Sequence, residues 1–212
     1  MTIDEMLFRR MAVAASALVY WGGVWIQARR VRRHIGRSPN LKPQGLKEQI
    51  LWLGWILVVL GWLALPLLLQ IDSRSALFQL QAAMLSKAGL IVGVLALVGG
   101  YGGTLWCYAA MGRQWRIGID LGERNPLVTR APYNKVRHPI YSFQVVMLIG
   151  VIALLPALLP LLLLVIHLIC VLIKASDEER YLLQVHGNEY RRYLERSGML
   201  WPRWIRSTRD AP

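Results

Sequence analysis

Residues 141–173 read YSFQVVMLIGVIALLPALLPLLLLVIHLICVLI, a run of 33 residues without a formally charged side chain. A single helix of that length would extend about 50 Å, whereas the hydrocarbon core of a bilayer is about 30 Å thick. Pro156 and Pro160 lie near the middle of the run, and proline disfavours helix at the residue before it. The run therefore predicts two membrane-spanning helices, roughly 140–155 and 158–173, joined by a tight turn.

Three further apolar blocks precede this predicted hairpin, at roughly 11–27, 50–69 and 88–111. Each is long enough to cross a bilayer as a helix, and 55% of the whole chain is hydrophobic. The first block ends at Gln27 without a small-residue cleavage site, so we interpret it as an uncleaved span and not as a signal peptide. The sequence predicts an all-α polytopic membrane protein of about five transmembrane helices, with residues 1–212 as one membrane domain.

The distribution of basic residues predicts the orientation in the membrane. Five spans place three segments on the same side, and these hold 21 of the 25 Lys and Arg residues: 28–49, 112–139 and 174–212. The positive-inside rule makes this side cytoplasmic, which predicts an external N-terminus and a cytoplasmic C-terminus in the cytoplasmic membrane. The net charge of +13 is then explained by topology and by anionic lipid headgroups, and we expect no nucleic-acid partner.

Polar residues stand at the boundary between segment 112–139 and the apolar run, where the sequence reads Arg137-His138-Pro139-Ile140-Tyr141. Arg and Tyr are common anchors at a membrane interface, but anchoring does not explain the histidine between them. Segment 112–139 is longer than a linker between spans needs to be and contains Trp115 and Tyr133. It therefore predicts an ordered cap over the membrane end, and a candidate site beneath it.

Three consecutive acids, Asp177, Glu178 and Glu179, follow the last predicted span. One interpretation is a capping box formed by Ser176 and Glu179, or simple solvation. The other is that one acid turns inward and meets a cation. Beyond them, aromatic and apolar residues at helical spacing, interrupted by Gly187, predict an amphipathic helix that caps the site or lies on the membrane surface.

Glycines and histidines complete the candidate residues. In the third span, Gly89 and Gly93, and likewise Gly99 and Gly103, are four residues apart, a spacing that lets helices pack closely in lipid. The four histidines are scattered without the short spacing of metal ligands, so we expect no metal site.

Two blocks carry a resemblance to a known family: LVTRAPYNKVRHPIY at 127–141 and DEERYLLQVHGNEYRRY at 177–193. With the hairpin between them, they resemble the isoprenylcysteine carboxyl methyltransferase family and its relatives, the phospholipid methyltransferases. That family shows a Pro-Tyr, an Arg-His-Pro-x-Tyr, a helical hairpin, a Glu-Glu and a Gly-x-x-Tyr-x-x-Tyr in this order. The resemblance divides the chain into three generic N-terminal spans, 1–111, and a cofactor-binding half, 112–212.

The resemblance implies an enzyme that transfers a methyl group from S-adenosylmethionine to a lipophilic acceptor, either an isoprenylcysteine-like carboxylate or a lipid headgroup. Lys174, which stands where the family usually has Arg, would bind the substrate, and catalytic roles would fall on Lys174, Glu178 and Arg137. The implied cofactor contacts are Asn125, Pro126, Leu127, Val128, Tyr133, His138, Pro139, Ile140, Tyr141 and Glu178.

Two other functions stay open at this level. Membrane reductases that use NADPH have a similar C-terminal arrangement, and the arginines of the tail would suit the 2′-phosphate of that cofactor. A non-enzymatic membrane scaffold is the second alternative, although it gives the predicted cap and the acidic residues no purpose. The sequence names neither the methyl acceptor nor an oligomeric state.

Overall fold

The structure, a computed structural model, describes residues 2–36, 38–39, 43, 45–71, 75–115 and 126–203. These residues form helices and contain no strand, which confirms the predicted all-α class. The longer helices are α1 (Ile3–Ile35), α2 (Gly45–Ile71), α3 (Lys87–Met111), α4 (Pro139–Leu154), α5 (Leu158–His186) and α6 (Asn188–Arg196). Four of them, α1, α2, α3 and α5, are long and apolar enough to cross a membrane. The apolar helix α4 has 16 residues and is therefore only about 24 Å long.

Local sequence explains where several of these helices begin and end. The Thr2 hydroxyl accepts a hydrogen bond from the Glu5 amide at 3.2 Å and starts α1, while Ser86 caps α3 in the same way through the Gly89 amide. Pro139 occupies the first turn of α4, where its missing N–H costs nothing. The predicted break in the long apolar run is found at residues 155–157, between α4 and α5.

The helix α5 continues well beyond its predicted end near residue 173. It runs to His186 and stops at Gly187, whose φ of +51° favours glycine. Ser176 therefore lies inside the helix, and its hydroxyl donates to the Leu172 carbonyl at 2.8 Å. This geometry excludes the capping-box interpretation and places the acidic residues on the last turns of α5 itself.

Glycines of α3 allow close contact with α4. A Cβ at Gly93 would lie 3.0 Å from the Gly150 carbonyl oxygen, and one at Gly100 would lie 2.9 Å from that of Phe143. Gly103 meets the Phe143 ring, whereas a Cβ at Gly99 would meet no atom within 4 Å. The close packing of α3 in this region is as predicted. The prediction that Gly99 takes part in it together with Gly103 is wrong, because the Cα–H of Gly99 is on a side of α3 that does not contact α4.

The two ends of the bundle are held by different contacts. At one end, the guanidinium of the fully buried Arg9 donates to the carbonyls of Ser86, at 2.6 Å, and Leu154, at 3.2 Å. These bonds join α1 to the start of α3 and to the turn after α4. The opposite end collects the residues of the candidate site, and the bundle between the ends has an apolar core around Tyr20, Trp62, Leu148 and Val151.

Candidate functional site

His138 lies immediately before α4, with both of its ring nitrogens beside carboxylates of α5. Its Nε2 is 3.2 Å from Oε1 of Glu179, and its Nδ1 is 3.4 Å from Oε2 of Glu178. An imidazole can donate from both nitrogens only when it is protonated. Burial opposes the charged form, but the two carboxylates outweigh it and raise the pKa of His138 above its ordinary value.

Tyr141 lies in the first turn of α4 and shares Glu178 with His138. Its hydroxyl donates to Oε1 of Glu178 at 3.1 Å. Its ring is stacked on the His138 ring, with the centroids 5.7 Å apart and an interplanar angle of 10°. The centroid of the Trp55 ring of α2 lies 6.1 Å from that of Tyr141, and the two rings are tilted by 51°. His138, Tyr141 and Glu178 thus form one connected polar cluster at the end of the bundle, and the sequence had singled out all three.

Arg137 joins this cluster to the C-terminal tail. Its Nε donates to Oε1 of Glu179 at 2.7 Å, and its Nη1 bonds to the carbonyl of Ser197 and, at 3.5 Å, to that of Leu194. The Arg137 guanidinium is therefore bonded to a carboxylate and to backbone carbonyls of the same chain. This contact pattern suits a residue that fixes the position of the tail.

The tail itself folds back over the start of α4. The Arg137 amide donates to the Gly198 carbonyl at 2.8 Å, and the His138 amide donates to the Met199 carbonyl at 3.0 Å. The Ser142 hydroxyl bonds to the Leu200 carbonyl. These contacts satisfy the amide groups before α4 and hold residues 198–200 across the site.

The segment before Arg137 forms another wall. Tyr133 is buried, and its carbonyl accepts a hydrogen bond from the Tyr193 hydroxyl of α6 at 2.5 Å. Burial raises the pKa of Tyr193 to about 12, so this hydroxyl stays protonated and remains a donor at neutral pH. Arg130 ties the segment to the end of α3 through the Ala110 carbonyl at 2.7 Å. Asn125, the first of the implied cofactor contacts, lies outside the described residues.

A cavity of about 330 Å³ opens beneath these elements and extends into the bundle. Its outer part is bounded by the polar cluster, by Tyr190 and Tyr193 of α6, and by the last turns of α5. Its inner part reaches Leu148 and Trp62 in the apolar core. The implied cofactor contacts that line it are Pro126, Leu127, Val128, Tyr133, His138, Pro139, Ile140, Tyr141 and Glu178.

Lys174 lies outside this cavity. It is buried against α2, and its Nζ lies 3.2 Å from Oε1 of Glu48. It is not among the residues that line the cavity. Asp177 also faces α2 and pairs with Lys47 at 2.6 Å. The three consecutive acids therefore divide their contacts: Asp177 binds α2, while Glu178 and Glu179 bind the residues around the start of α4.

Several contributors were not recognised as site residues from the sequence. Glu179 was considered from the sequence as one acid of three and as the capping-box partner of Ser176, because its contacts with Arg137 and His138 depend on how α4 and α5 are rotated. The contacts of residues 198–200 with the start of α4 could not be predicted, because no sequence pattern in the tail indicates a contact with residues about sixty positions earlier. Trp55, Gln144 and His167 line the cavity but read in the sequence as ordinary members of apolar spans.

Comparison with known proteins identifies a related family. Residues 88–189 match the model of the phospholipid methyltransferase family, a segment that runs from α3 into α6. No protein of curated function matches the chain. The segment 88–189 is thus similar to the phospholipid methyltransferase family, and the resemblance drawn from the sequence motifs is confirmed. With its apolar helices, the family match indicates an integral membrane methyltransferase.

Proposed function

We propose that this protein transfers a methyl group from S-adenosylmethionine to a lipophilic acceptor within the cavity. The observation that carries the proposal is the cluster of His138, Tyr141 and Glu178 at the mouth of a cavity that continues into the apolar core. The family match supplies the reaction class. The identity of the cofactor and the positions of its contacts are our own inference from the residues present.

The residues at the mouth fit the chemical groups of this cofactor. The Glu178 carboxylate can accept hydrogen bonds from hydroxyl or ammonium groups, and its side chain is 22% exposed, so it is accessible from the cavity. Aromatic faces at Tyr133 and Tyr141 can stack on a purine or face a sulfonium cation. The Tyr190 hydroxyl is buried without a partner among the described residues and is available to a bound molecule.

The chain's own residues would align the reactants and exclude water. S-adenosylmethionine supplies a methyl group on a positively charged sulfur, and its transfer is an in-line displacement that depends mainly on alignment. The backbone of residues 126–128 and the ring of Tyr133 would form one side of the cofactor pocket. Pro139, Ile140 and Tyr141 would form the other side. The tail at 198–200 and α6 would close the pocket against water.

Two residues receive different roles from those that the resemblance implied. We assign Arg137 as a positioning residue, since its guanidinium binds Glu179 and tail carbonyls. We leave Lys174 out of the site, because Glu48 neutralises it against α2. Glu178 remains the residue that we expect to contact the cofactor. A carboxylate acceptor, which Lys174 would have bound, loses its main support.

We further propose that the site faces the cytoplasm and that the chain acts as one membrane domain. The segments joined to this end of the bundle hold 21 of the 25 Lys and Arg residues, and such segments stay on the cytoplasmic side. The tail of a lipophilic acceptor would remain in the bilayer while its polar part enters the cavity between the helices.

Isothermal titration of the detergent-solubilised protein with S-adenosylmethionine tests the proposal. We expect saturable binding, with the Kd raised about tenfold or more in Glu178→Gln because a charge-assisted hydrogen bond is lost. Asp177→Asn is the matched control, since the neighbouring acid pairs with Lys47 outside the cavity, and it should bind like the unchanged protein. Absence of binding, with thermal stabilisation by NADPH, would instead support a reductase.

A further inference from the structure

Several buried polar atoms that line the inner part of the cavity have no hydrogen-bond partner among the described residues. Two are the Tyr20 hydroxyl and Nε1 of Trp21, both on α1. Three others are Nε1 of Trp55, Oε1 of Gln144 and Nε2 of His167. They come from three different helices, α2, α4 and α5, and all three side chains line the same cavity. A buried polar atom without a partner is costly, so three that converge on one cavity indicate a bound polar group.

These three side chains lie progressively deeper than the proposed cofactor site. Trp55 is in ring contact with Tyr141, at 6.1 Å between centroids. Gln144 follows Tyr141 by three residues on α4, which places it about 4.5 Å further along the helix. His167 precedes Glu178 by 11 residues on α5, a distance of about 16 Å along the axis. The polar atoms thus extend from the proposed cofactor site toward the middle of the bundle.

The charge of the cavity restricts what this inner part can bind. Histidines aside, the ionisable acidic and basic side chains among the described lining residues are Arg137 and Glu178, both at the outer end. Arg137 is engaged by Glu179 and by the tail. A carboxylate or phosphate buried in the inner part would therefore lack a cation, and burying an unpaired charge is strongly unfavourable.

A hydroxyl group matches the polar atoms that are present. The indole Nε1 of Trp55 can only donate, and the amide Oε1 of Gln144 can only accept. A hydroxyl accepts the first bond and donates the second, and the His167 ring can take either role according to its tautomer. The surrounding side chains, among them Val58, Trp62 and Leu148, suit a hydrocarbon or aromatic body attached to that hydroxyl.

We infer that the inner cavity recognises the uncharged hydroxyl of a lipophilic methyl acceptor, a phenol or an alcohol, through Trp55, Gln144 and His167. This inference rests on the proposed function and names the acceptor class for the same site. It makes these three side chains determinants of acceptor specificity, without contact to the cofactor. The hydroxyl oxygen bonds to the methyl carbon as the carbon–sulfur bond breaks, S-adenosylhomocysteine is the leaving group, and Nε2 of a neutral His167 accepts the hydroxyl proton. An acceptor with an anionic lipid headgroup or a carboxylate should bind to the inner cavity with lower affinity than one with a hydroxyl.

The test measures equilibrium binding of tritiated 4-octylphenol to the purified protein in lipid nanodiscs, with empty nanodiscs as background. Unlabelled 4-octylbenzoate and 4-octylphenyl phosphate serve as competitors with the same hydrocarbon tail but an anionic head. We expect saturable phenol binding and competition at least about tenfold weaker from either anion. Gln144→Leu and His167→Phe should each raise the Kd of the phenol about three- to tenfold. Gln70→Leu, an exposed position on α2 outside the cavity, is the matched control and should not change it.

The outcomes are separable from those of the cofactor titration. Equal or stronger competition by either anion, no saturable phenol binding, or unchanged binding by both inner-cavity variants would overturn the inference. S-adenosylmethionine should bind Gln144→Leu and His167→Phe with its normal affinity, which excludes general misfolding. If the protein binds the phenol selectively but never binds S-adenosylmethionine, the inner site stands, and its role as a methyl-acceptor site is overturned together with the proposed function.

Discussion

Oε1 of Glu179 lies 2.7 Å from Nε of Arg137 and 3.2 Å from Nε2 of His138, so this single carboxylate oxygen serves both basic side chains. The neighbouring acid, Glu178, is 3.4 Å from the other ring nitrogen of His138 and also receives the Tyr141 hydroxyl. The two glutamates therefore have different tasks. Glu179 fixes the residues before α4 against α5, while Glu178 faces the cavity.

The ion pair around His138 makes stability depend on pH. Because Glu178 and Glu179 raise the pKa of His138 above its ordinary value of 6.5 in spite of burial, the contribution is fully present below about pH 6.5. It is lost as the pH rises through the higher pKa of the folded state. We expect the difference in melting temperature between the unchanged protein and His138→Gln to shrink as the pH is raised from about 6 to 9. Differential scanning fluorimetry in detergent measures it.

The matched control for this pH series is His34→Gln, because His34 is exposed on α1 and its Nδ1 contacts the Arg30 carbonyl of its own helix. Its melting curve should follow that of the unchanged protein at every pH. A difference between the unchanged protein and His138→Gln that stays constant across the series would contradict the assigned role of the glutamates.

Replacing Arg137 by lysine should loosen the tail. Lysine keeps the charge but loses the planar fork that binds Glu179 and the Ser197 carbonyl together, and we expect a loss of about 2 kcal/mol in the free energy of unfolding. The amide of Gly198, which donates to the Lys135 carbonyl at 3.0 Å, should exchange its hydrogen about tenfold faster. Hydrogen exchange followed by mass spectrometry resolves this segment, and unchanged exchange there would reject the positioning role.

Arg9 should be essential for stability at the end of the bundle away from the site. It is fully buried and bonded to Glu5 and to the carbonyls of Ser86 and Leu154, so Arg9→Met leaves those carbonyls and Glu5 without their donor. We expect a loss of about 3–5 kcal/mol, measured as a lower melting temperature. Arg33→Met, exposed on the same helix, should change it little. Cofactor affinity measured below the melting temperature should be retained in both variants.

Two adjacent glycines of α3 should respond differently to the same substitution. Gly100→Val forces its side chain against the Phe143 carbonyl and Met147 of α4, and overpacking of this kind costs about 1–3 kcal/mol. A Cβ at position 99 would meet no atom within 4 Å, so Gly99→Val should leave the melting temperature unchanged or slightly raised. Equal destabilisation by both variants would show that the α3 and α4 contact is not the one described.

Length and composition decided much of the fold in advance. Apolar blocks of membrane-spanning length predicted the places of five helices, and Pro156 and Pro160 predicted the turn between α4 and α5. Proline at position 139 marked the start of α4, and the motifs around His138 and Glu178 indicated the family. These are local properties, because helix periodicity, proline geometry and hydrophobic length act over a few turns of the chain.

The partners of individual side chains were decided only by the tertiary structure. Which acid meets His138, why Lys174 pairs with Glu48, and which of Gly99 and Gly100 contacts α4 depend on how each helix is rotated about its axis. The bonds from residues 198–200 to the start of α4 span about sixty residues of sequence. No local pattern encodes contacts of that separation, since they arise when packed helices bring distant segments to the same end of the bundle.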